Sequence, residues 1–226
     1  MTASASAAPS GVVSVRTTAT LDFGRIWSSI FSVMVDSPPK SILFVSPGAG
    51  QGASTLAAGV ALTAAQANPQ LRLGLLDGNF RSPSLERLFQ IPGSPGVIDA
   101  LSGTTAPEEL GYALGIHSNL FVIPAGTVAD DPLALLRREK MVSLITNLSS
   151  RFDMLLIDSA PVNQYPDAQL IAGIVDAAVL VVDVSRAPRE AIAKAKQVIH
   201  ISQGHLVGTV LNRRSHPVPG ILYGRA

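Results

Sequence analysis

Short apolar runs alternate with longer helical patterns along most of this chain. Six runs rich in β-branched residues and leucine predict strands: Ser41–Ser46, Arg72–Asp77, Leu120–Ile123, Asp153–Asp158, Ala177–Val184 and Leu206–Leu211. Strands separated by helices are joined by right-handed crossovers, which produce a mainly parallel sheet. The sequence therefore predicts a doubly wound α/β domain with helices flanking the sheet.

Helical spacing of apolar residues fills the intervals between these runs. The first predicted helix, Leu21–Val35, ends before two consecutive prolines. The other predicted helices are Ser54–Ala67, Ser84–Phe89, Val97–Leu101, Pro132–Ser150, Asp167–Val175 and Ala187–Ser202. Residues 1–20 are mostly small and can bury little surface, so they are predicted to be a flexible tail, as are residues 213–226. One domain over residues 21–212 is expected.

Composition supports a single buried core and excludes several functions. Apolar residues make up 47% of the 226 residues and charged residues only 15%, which is enough to cover both faces of a sheet. The net charge of +1 gives no broad basic field, so nucleic-acid binding is not predicted. Cysteine is absent, which excludes disulfides, zinc thiolate sites and thiol nucleophiles.

Neither membrane insertion nor secretion is predicted. The longest apolar run, Leu170–Val184, is interrupted by Asp176 and Asp183 and is too short to cross a bilayer. The first twenty residues lack the basic start and apolar stretch of a secretory signal. A cytoplasmic location is expected.

A glycine-rich loop follows the first predicted strand and precedes a helix of small residues. Its sequence, PGAGQGAST, contains Gly48, Gly50 and Gly52. Glycines let the backbone curl so that successive N–H groups point inward, and the helix start adds a partial positive charge. This geometry favours phosphate binding over the alternative of a tight turn that needs glycine for its backbone alone.

Two phosphate-binding templates fit this loop, and they imply different ligands. Gly48, Gly50 and Ala53 match the dinucleotide template G-x-G-x-x-A, and Asp77 after the next strand would bind a ribose hydroxyl. The P-loop template ends in G-K-S-T, and the matching residues are Gly52, Ala53, Ser54 and Thr55. Alanine therefore stands where the P-loop has lysine. The loop alone does not decide between the templates.

Two of the predicted strands end in an aspartate. Asp77 ends the second strand and Asp158 ends the fourth. The carboxyl ends of parallel strands meet at the ligand crevice, where an aspartate can hold Mg²⁺ beside a P-loop hydroxyl such as that of Ser54. The alternative role for either aspartate is to cap the helix or turn that follows.

Further segments accompany these motifs along the chain. They are Gly96–Gly103 (GVIDALSG), Asn119–Gly126 (NLFVIPAG), Asp131–Leu136 (DPLALL), Phe152–Val162 and Gly208–Arg213 (GTVLNR). In their order and spacing, from about Asp22 to Arg213, the chain resembles the bacterial tyrosine kinases of capsule and exopolysaccharide assembly, relatives of the MinD and ParA-type ATPases. A dinucleotide dehydrogenase has no reason to carry these segments.

The resemblance implies a P-loop NTPase fold, a cofactor and a partner. The cofactor is ATP or ADP with Mg²⁺, and the partner is a membrane-embedded polysaccharide co-polymerase or chain-length protein that recruits the chain to the inner membrane. Carried over to this sequence, the resemblance implies that Ser54 and Thr55 meet magnesium and phosphate. It further implies that Asp77 and Asp158 are catalytic residues that organise the metal, and that Asn212 lies near the adenine.

Several positions depart from the family pattern. Ala53 replaces the P-loop lysine, Asn79 replaces the second acid of the D-x-D motif, and Gly48 stands where the MinD-like relatives carry an additional lysine. Loss of one such electrostatic partner commonly slows a reaction by about 10²- to 10³-fold. The sequence therefore favours a degenerate kinase that acts through its partners, with weakened nucleotide binding.

Two alternatives remain open at this point. The first is an active tyrosine autokinase or ATPase, in which Arg81 or a neighbouring subunit's Arg25 supplies the missing charge. The second is an NAD(P)-dependent Rossmann oxidoreductase. The family's ring-forming E-x-x-R-x-x-R helix is matched only in part, by Asp22, Arg25 and Ser28, and its terminal tyrosine cluster is reduced to Tyr223. A homo-oligomer is an expectation on this basis.

Overall fold

The computed structural model of the protein describes residues 23–33, 39–115, 117–127 and 135–213. Both predicted tails lie outside these ranges, apart from Arg213. Asp22, Tyr223 and the start of the predicted helix Pro132–Ser150 also lie outside the described residues.

A seven-stranded sheet forms the centre of the described chain. Its strands are β1 (Ser41–Val45), β2 (Leu73–Gly78), β3 (Tyr112–Leu114), β4 (His117–Ile123), β5 (Met154–Ser159), β6 (Ala177–Asp183) and β7 (Leu206–Asn212). The strand order is β3-β4-β2-β5-β1-β6-β7, and every neighbouring pair is parallel except β3 with β4. The predicted fold class, a doubly wound and mainly parallel α/β domain, is confirmed.

Helices cover both faces of this sheet. They are α1 (Phe23–Val33), α2 (Ala53–Ala67), α3 (Leu85–Phe89), α4 (Val97–Ser102), α5 (Arg138–Arg151), α6 (Pro166–Ala172) and α7 (Arg189–Ile201). The first three pack on one face and the last four on the other. Within the described ranges, none of the helices has the length and apolar character that a bilayer crossing requires.

The central strand β1 shows why its sequence is apolar throughout. Ile42 and Phe44 point to the face covered by α1 and α2, whereas Leu43 and Val45 point to the opposite core. All four side chains are fully buried. Parallel strands that are covered on both sides lose the apolar–polar alternation of a half-exposed strand.

The structure differs from the sequence predictions at β3 and before α5, and by a few residues at the ends of other elements. Strand β3 was not predicted, because three residues are too short to show a period and the strand pairs antiparallel with its neighbour. The described part of the helix predicted over Pro132–Ser150 is interrupted. Residue 135 is helical, residues 136 and 137 are not, and α5 begins at Arg138 after the extended backbone of Arg137.

Helix α1 packs on α2 at a glycine. A Cβ atom added to Gly59, in the middle of α2, would overlap the ring of Phe23. Trp27 and Ile30, on the same helix as Phe23, are only 7% and 6% exposed. The missing side chain at position 59 therefore allows the two helices to approach closely.

We expect Gly59→Ala to lower the free energy of unfolding by about 1–3 kcal/mol, the usual cost of overpacking. By helix propensity alone, replacing glycine with alanine in a helix interior would instead stabilise the protein by about 1 kcal/mol. Urea unfolding measures the change, and the emission of Trp27, the single tryptophan, reports displacement of α1.

Gly208→Ala is the control, because a Cβ atom there meets nothing within 4 Å. Adding Phe23→Ala to Gly59→Ala should make the combined loss smaller than the sum of the two single losses. Unchanged stability and emission in Gly59→Ala would show that α1 does not depend on this contact.

Candidate functional site

The glycine-rich loop joins β1 to α2 at the carboxyl edge of the sheet. Gly50 and Gly52 have φ angles of 73° and 90°, a left-handed conformation that favours glycine. Gly52 is also the N-cap of α2, a helix of 15 residues. The first N–H groups of a helix have no intrahelical acceptor, so this start of α2 can receive an anion.

Asp77 and Asp158 lie side by side behind this loop. They are paired in the register of β2 and β5, and neither residue has exposed surface. Asp77 accepts hydrogen bonds from the backbone N–H groups of Asn79, Ser84 and Leu85, at 3.1, 2.8 and 3.0 Å. Burial raises the pKa of Asp77, and these hydrogen bonds act against that rise. The Asp77 carboxylate thus stabilises the turn that leads into α3. This matches the alternative role predicted for Asp77 from the sequence, that of capping the helix or turn that follows.

Asp158 has no such support. Neither of its carboxylate oxygens has a hydrogen-bond partner among the described residues. Burial, and then the neighbouring Asp77 carboxylate, raise the pKa of Asp158 to about 8, although the nearby Ser54 hydroxyl and Ser159 amide act in the opposite direction. An unpartnered buried carboxyl group is costly, and a divalent cation would supply both a counter-charge and a ligand sphere.

A metal at this position would need ligands from a bound molecule as well. No group of three or more His, Cys, Asp or Glu residues in the described part of the chain is arranged to hold a metal ion. Mg²⁺ is usually held by one or two carboxylates together with substrate phosphates. The Ser54 hydroxyl near Asp158 suits a metal ion shared with a phosphate ligand rather than a self-contained protein site.

A cleft of about 630 Å³ lies over the loop. Small-molecule sites commonly have volumes of roughly 300–1,000 Å³. Its described lining includes three arginines, Arg81, Arg87 and Arg213, and no acidic side chain and no lysine. The cleft is therefore suited to an anionic ligand.

The structure brings most of the predicted site residues to this cleft. Those in its wall are Gly50, Gly52, Ala53, Ser54 and Thr55. Gly48 lies beside the wall, where its carbonyl accepts a hydrogen bond from the Ser46 hydroxyl at 2.9 Å. The Asn212 side chain donates to the carbonyl of Gln51 at 2.9 Å, so it holds the loop, and its proximity to an adenine stays a prediction.

Two of the three positions that depart from the family pattern, Ala53 and Asn79, also line the cleft. Ala53 is the first residue of α2 and is 7% exposed, so only a methyl group stands where a lysine would reach forward. Asn79 lines the same cleft. The wall thus offers backbone N–H groups and hydroxyls where the P-loop template also offers an ammonium group.

Arg81 lines the cleft but is paired with another residue. Its guanidinium forms a two-pronged ion pair with the buried Asp167, at 3.1 and 3.3 Å, and lies 5.4 Å from the centre of the Tyr165 ring. The carboxylate compensates the charge of this arginine. Arg81 is therefore a weaker substitute for the missing lysine than its position in the sequence indicates.

Sequence reasoning missed three residues that hold the loop from the β6 and β7 side. The Gln51 side chain accepts a hydrogen bond from the Asp183 N–H at 3.2 Å. Arg213 donates to the Asp183 carboxylate at 2.9 Å and to the Gly50 carbonyl at 3.3 Å. Asp183 could have been found, because it lies at the carboxyl end of a fully buried apolar strand, as Asp77 nearly does.

The sheet order and the glycine loop between β1 and α2 define a P-loop NTPase fold. No protein-family model matches the chain. The tyrosine-protein kinase CpsD of Streptococcus pneumoniae serotype 4 is 31% identical over 175 residues, which cover 77% of this chain and 76% of CpsD. The tyrosine-protein kinase YwqD of Bacillus subtilis is 28% identical over 190 residues, covering 84% of this chain and 79% of YwqD. The chain belongs to the family of bacterial tyrosine-protein kinases.

Solved structures agree with this assignment. The chimerical protein CapA2B2 superposes with a TM-score of 0.79 at 29% identity, covering 86% of this chain and 84% of the other. The VpsO kinase domain gives 0.75 at 28% identity, covering 84% and 92%. MinD of Pyrococcus horikoshii, complexed with Mg-ADP, gives 0.64 at 20% identity, covering 81% and 75%, and shows the fold alone. The P-loop template is therefore favoured over the dinucleotide template.

The buried carboxyl group of Asp158 predicts how stability depends on pH. Its pKa is about 8 in the folded protein against an ordinary 3.8, so between these values the folded chain keeps a proton that the unfolded chain releases. Stability is then fully present at low pH and falls as pH rises toward 8, by at most about 1.4 kcal/mol per pH unit. Without divalent cations, the melting temperature should fall from pH 5 to pH 8.

Asp158→Asn should flatten much of this dependence and raise the melting temperature at pH 8, because the amide cannot ionise. Glu139→Gln, which changes an exposed carboxyl group on α5, is the matched control and should leave the slope unchanged. Equal slopes in wild type and Asp158→Asn would contradict the assigned titration.

Proposed function

We propose that this chain is a kinase-like regulator of exopolysaccharide or capsule production, with a weakened site for ATP or ADP and Mg²⁺ and little capacity for phosphoryl transfer. One observation carries the proposal. The cleft combines an anion-binding loop with a methyl group at Ala53, and the unpartnered carboxyl group of Asp158 is buried behind that loop. Binding is thus supported by the residues present, whereas transfer lacks its usual cation.

The proposed binding of a nucleotide uses the chain's own groups in distinct roles. The N–H groups of the loop and of the first turn of α2 would hold the phosphates. The Ser54 hydroxyl and the Asp158 carboxylate would hold Mg²⁺, which supplies positive charge beside the phosphates when it is bound. Asp77 keeps the turn after β2 in place, Thr55 lies in the cleft wall, and Asn212 fixes the loop on the side proposed for the adenine.

Phosphoryl transfer would need charge that these residues do not provide. Negative charge is spread over the transferred group in the transition state, and a preorganised cation stabilises it. Ala53 offers no such cation, and Asn79 has no carboxylate with which to help organise a metal. We therefore propose that the chain binds nucleotide as a signal or a structural ligand more readily than it transfers the phosphoryl group.

The polysaccharide role and the partner follow from family membership and from the resemblance of the motifs. We infer that a membrane-embedded co-polymerase or chain-length protein recruits the chain to the cytoplasmic side of the inner membrane. The nucleotide-binding domain is proposed to span residues 21–212. Assembly into a homo-oligomer through the α1 region belongs to the same proposal.

We expect the tagged chain to co-purify with the chain-length protein of its own organism from membrane extracts. Deletion of its gene should change the amount or length of the exported polysaccharide, because the partner would lose its regulator. Mass spectrometry of the purified complex and sizing of the polymer measure these effects. A chain that stays partnerless, together with unchanged polysaccharide after deletion, would contradict the regulatory role.

For nucleotide binding, calorimetry with MgADP should give a dissociation constant between micromolar and millimolar, equivalent to about 4–8 kcal/mol. Ala53→Lys should tighten binding by about 1.5–3 kcal/mol, the scale of a charge-assisted hydrogen bond. Ala67→Lys is the matched control, because it adds the same charge at the exposed far end of α2. Equal gains in both variants would show that the effect is not local to the loop.

Turnover should separate from binding. Labelled ATP should be hydrolysed near background by the wild type, and the double variant Ala53→Lys with Asn79→Asp is the one expected to gain activity. A wild-type rate equal to that of YwqD, measured side by side, would contradict the loss of catalysis. Label on Tyr223 that is abolished by Asp77→Ala would favour the active autokinase instead.

A further inference from the structure

Asp183, at the carboxyl end of β6, is shared by two arginines. Its Oδ2 atom lies 2.9 Å from a guanidinium nitrogen of Arg213 and 3.8 Å from Nε of Arg186. The amide and hydroxyl of Ser185 donate to its other oxygen at 3.0 and 2.6 Å. The carboxylate side chain itself has no exposed surface.

This cluster carries a net positive charge. Burial acts to raise the pKa of Asp183, but the hydrogen bonds from Ser185 and the ion pair with Arg213 together hold it below its ordinary value. Arginine stays protonated in proteins. One carboxylate and two guanidinium groups therefore leave a net charge of +1, in contrast to the one-to-one pair of Arg81 with Asp167.

Both guanidinium groups end at the glycine loop. Arg213 lines the cleft and donates to the Gly50 carbonyl at 3.3 Å. Arg186 has a guanidinium nitrogen 3.7 Å from the point that a Cβ atom of Gly50 would occupy. Gly50 itself lies in the cleft wall, three positions before Ala53. The surplus charge of the cluster is thus next to the part of the loop that faces a ligand.

The loop and the cluster are also fixed to each other. The N–H of Asp183 donates to the Gln51 side chain, and the Asn212 side chain donates to the Gln51 carbonyl. The ends of β6 and β7 therefore hold the loop from one side. The arginine side chains keep 67% (Arg186) and 48% (Arg213) of their surface exposed, so they can turn toward a ligand while Asp183 anchors them.

We propose that Arg186 and Arg213 recognise a phosphate group of the ligand from the Gly50 side of the loop, and so supply in binding the charge that Ala53 does not. The proposal rests on the proposed nucleotide-binding function and refines it. Asp183 is the positioning residue that holds both guanidinium groups. The positive charge of these two guanidinium groups, placed beside Gly50, supports phosphate binding. It does not replace the lysine that is missing at the start of α2.

The test compares a phosphate-bearing ligand with a phosphate-free one. MgADP and adenosine are titrated into wild type, Arg186→Gln, Arg213→Gln and the double variant. Each single change should weaken MgADP roughly 10-fold, the effect of losing one charge-assisted hydrogen bond, and the double change should weaken it further. Adenosine affinity should stay unchanged, because adenosine carries no phosphate.

Lys40→Gln is the charge-matched control and should leave MgADP affinity unchanged. It removes one positive charge next to the amino end of β1, whereas the glycine loop follows the carboxyl end of the same strand. Arg186→Lys and Arg213→Lys should retain most of the affinity, since they keep the charge. Arg186→Gln is the variant least able to disturb the loop, because among the described residues its side chain makes its polar contact with Asp183 alone.

The outcomes separate this proposal from the one it rests on. A wild type that binds no MgADP overturns both. A wild type that binds MgADP, with both glutamine variants behaving like Lys40→Gln, overturns the arginine proposal alone. Equal loss of MgADP and adenosine in the variants also overturns it, since that pattern reports a damaged loop rather than lost phosphate recognition. MgADP affinity that falls with added KCl more steeply in wild type than in the double variant supports it.

Discussion

The parallel pairing of β5 with β1 on one side and β2 on the other is the interaction on which the site depends. It brings the ends of three strands, distant in sequence, to one edge of the sheet. Because helices cover both faces, whatever ends these strands is buried with them. The same pairing that assembles the cleft therefore removes Asp77 and Asp158 from water and raises the pKa of both.

The three aspartates near the carboxyl ends of β2, β5 and β6 differ in how their charge is accommodated. Asp77 is held by backbone N–H groups, and Asp183 by Ser185 and two arginines. Asp158 alone lacks a partner among the described residues. A protein selected only for stability would gain from an apolar residue or an amide at that position. The Asp158 carboxyl group, which has no hydrogen-bond partner in the described part of the chain, is thus the feature of the sheet that is best explained by a ligand.

Much of this arrangement could be predicted from the sequence, because buried parallel strands give continuous apolar runs and their carboxyl ends must meet. The glycine loop, Asp77 and Asp158 were found in this way. Strand β3 could not be, since three residues show no period. The contacts of Arg81 with Asp167 and of Arg213 with Gly50 join residues far apart in sequence, and no local pattern encodes them. Asp183 was within reach of the rule that identified the other two aspartates.

Helix α1 touches two elements that end at the phosphate loop. It packs on α2, whose first turn lines the cleft, and on β7, whose last residue, Asn212, is bonded to Gln51. Helix α1 is therefore connected to the cleft through α2 and, separately, through β7. Because Gly59 leaves no room between α1 and α2, a displacement of α1 would have to move α2 or β7 as well. The packing of one surface helix therefore bears on the positions of both elements that reach the loop.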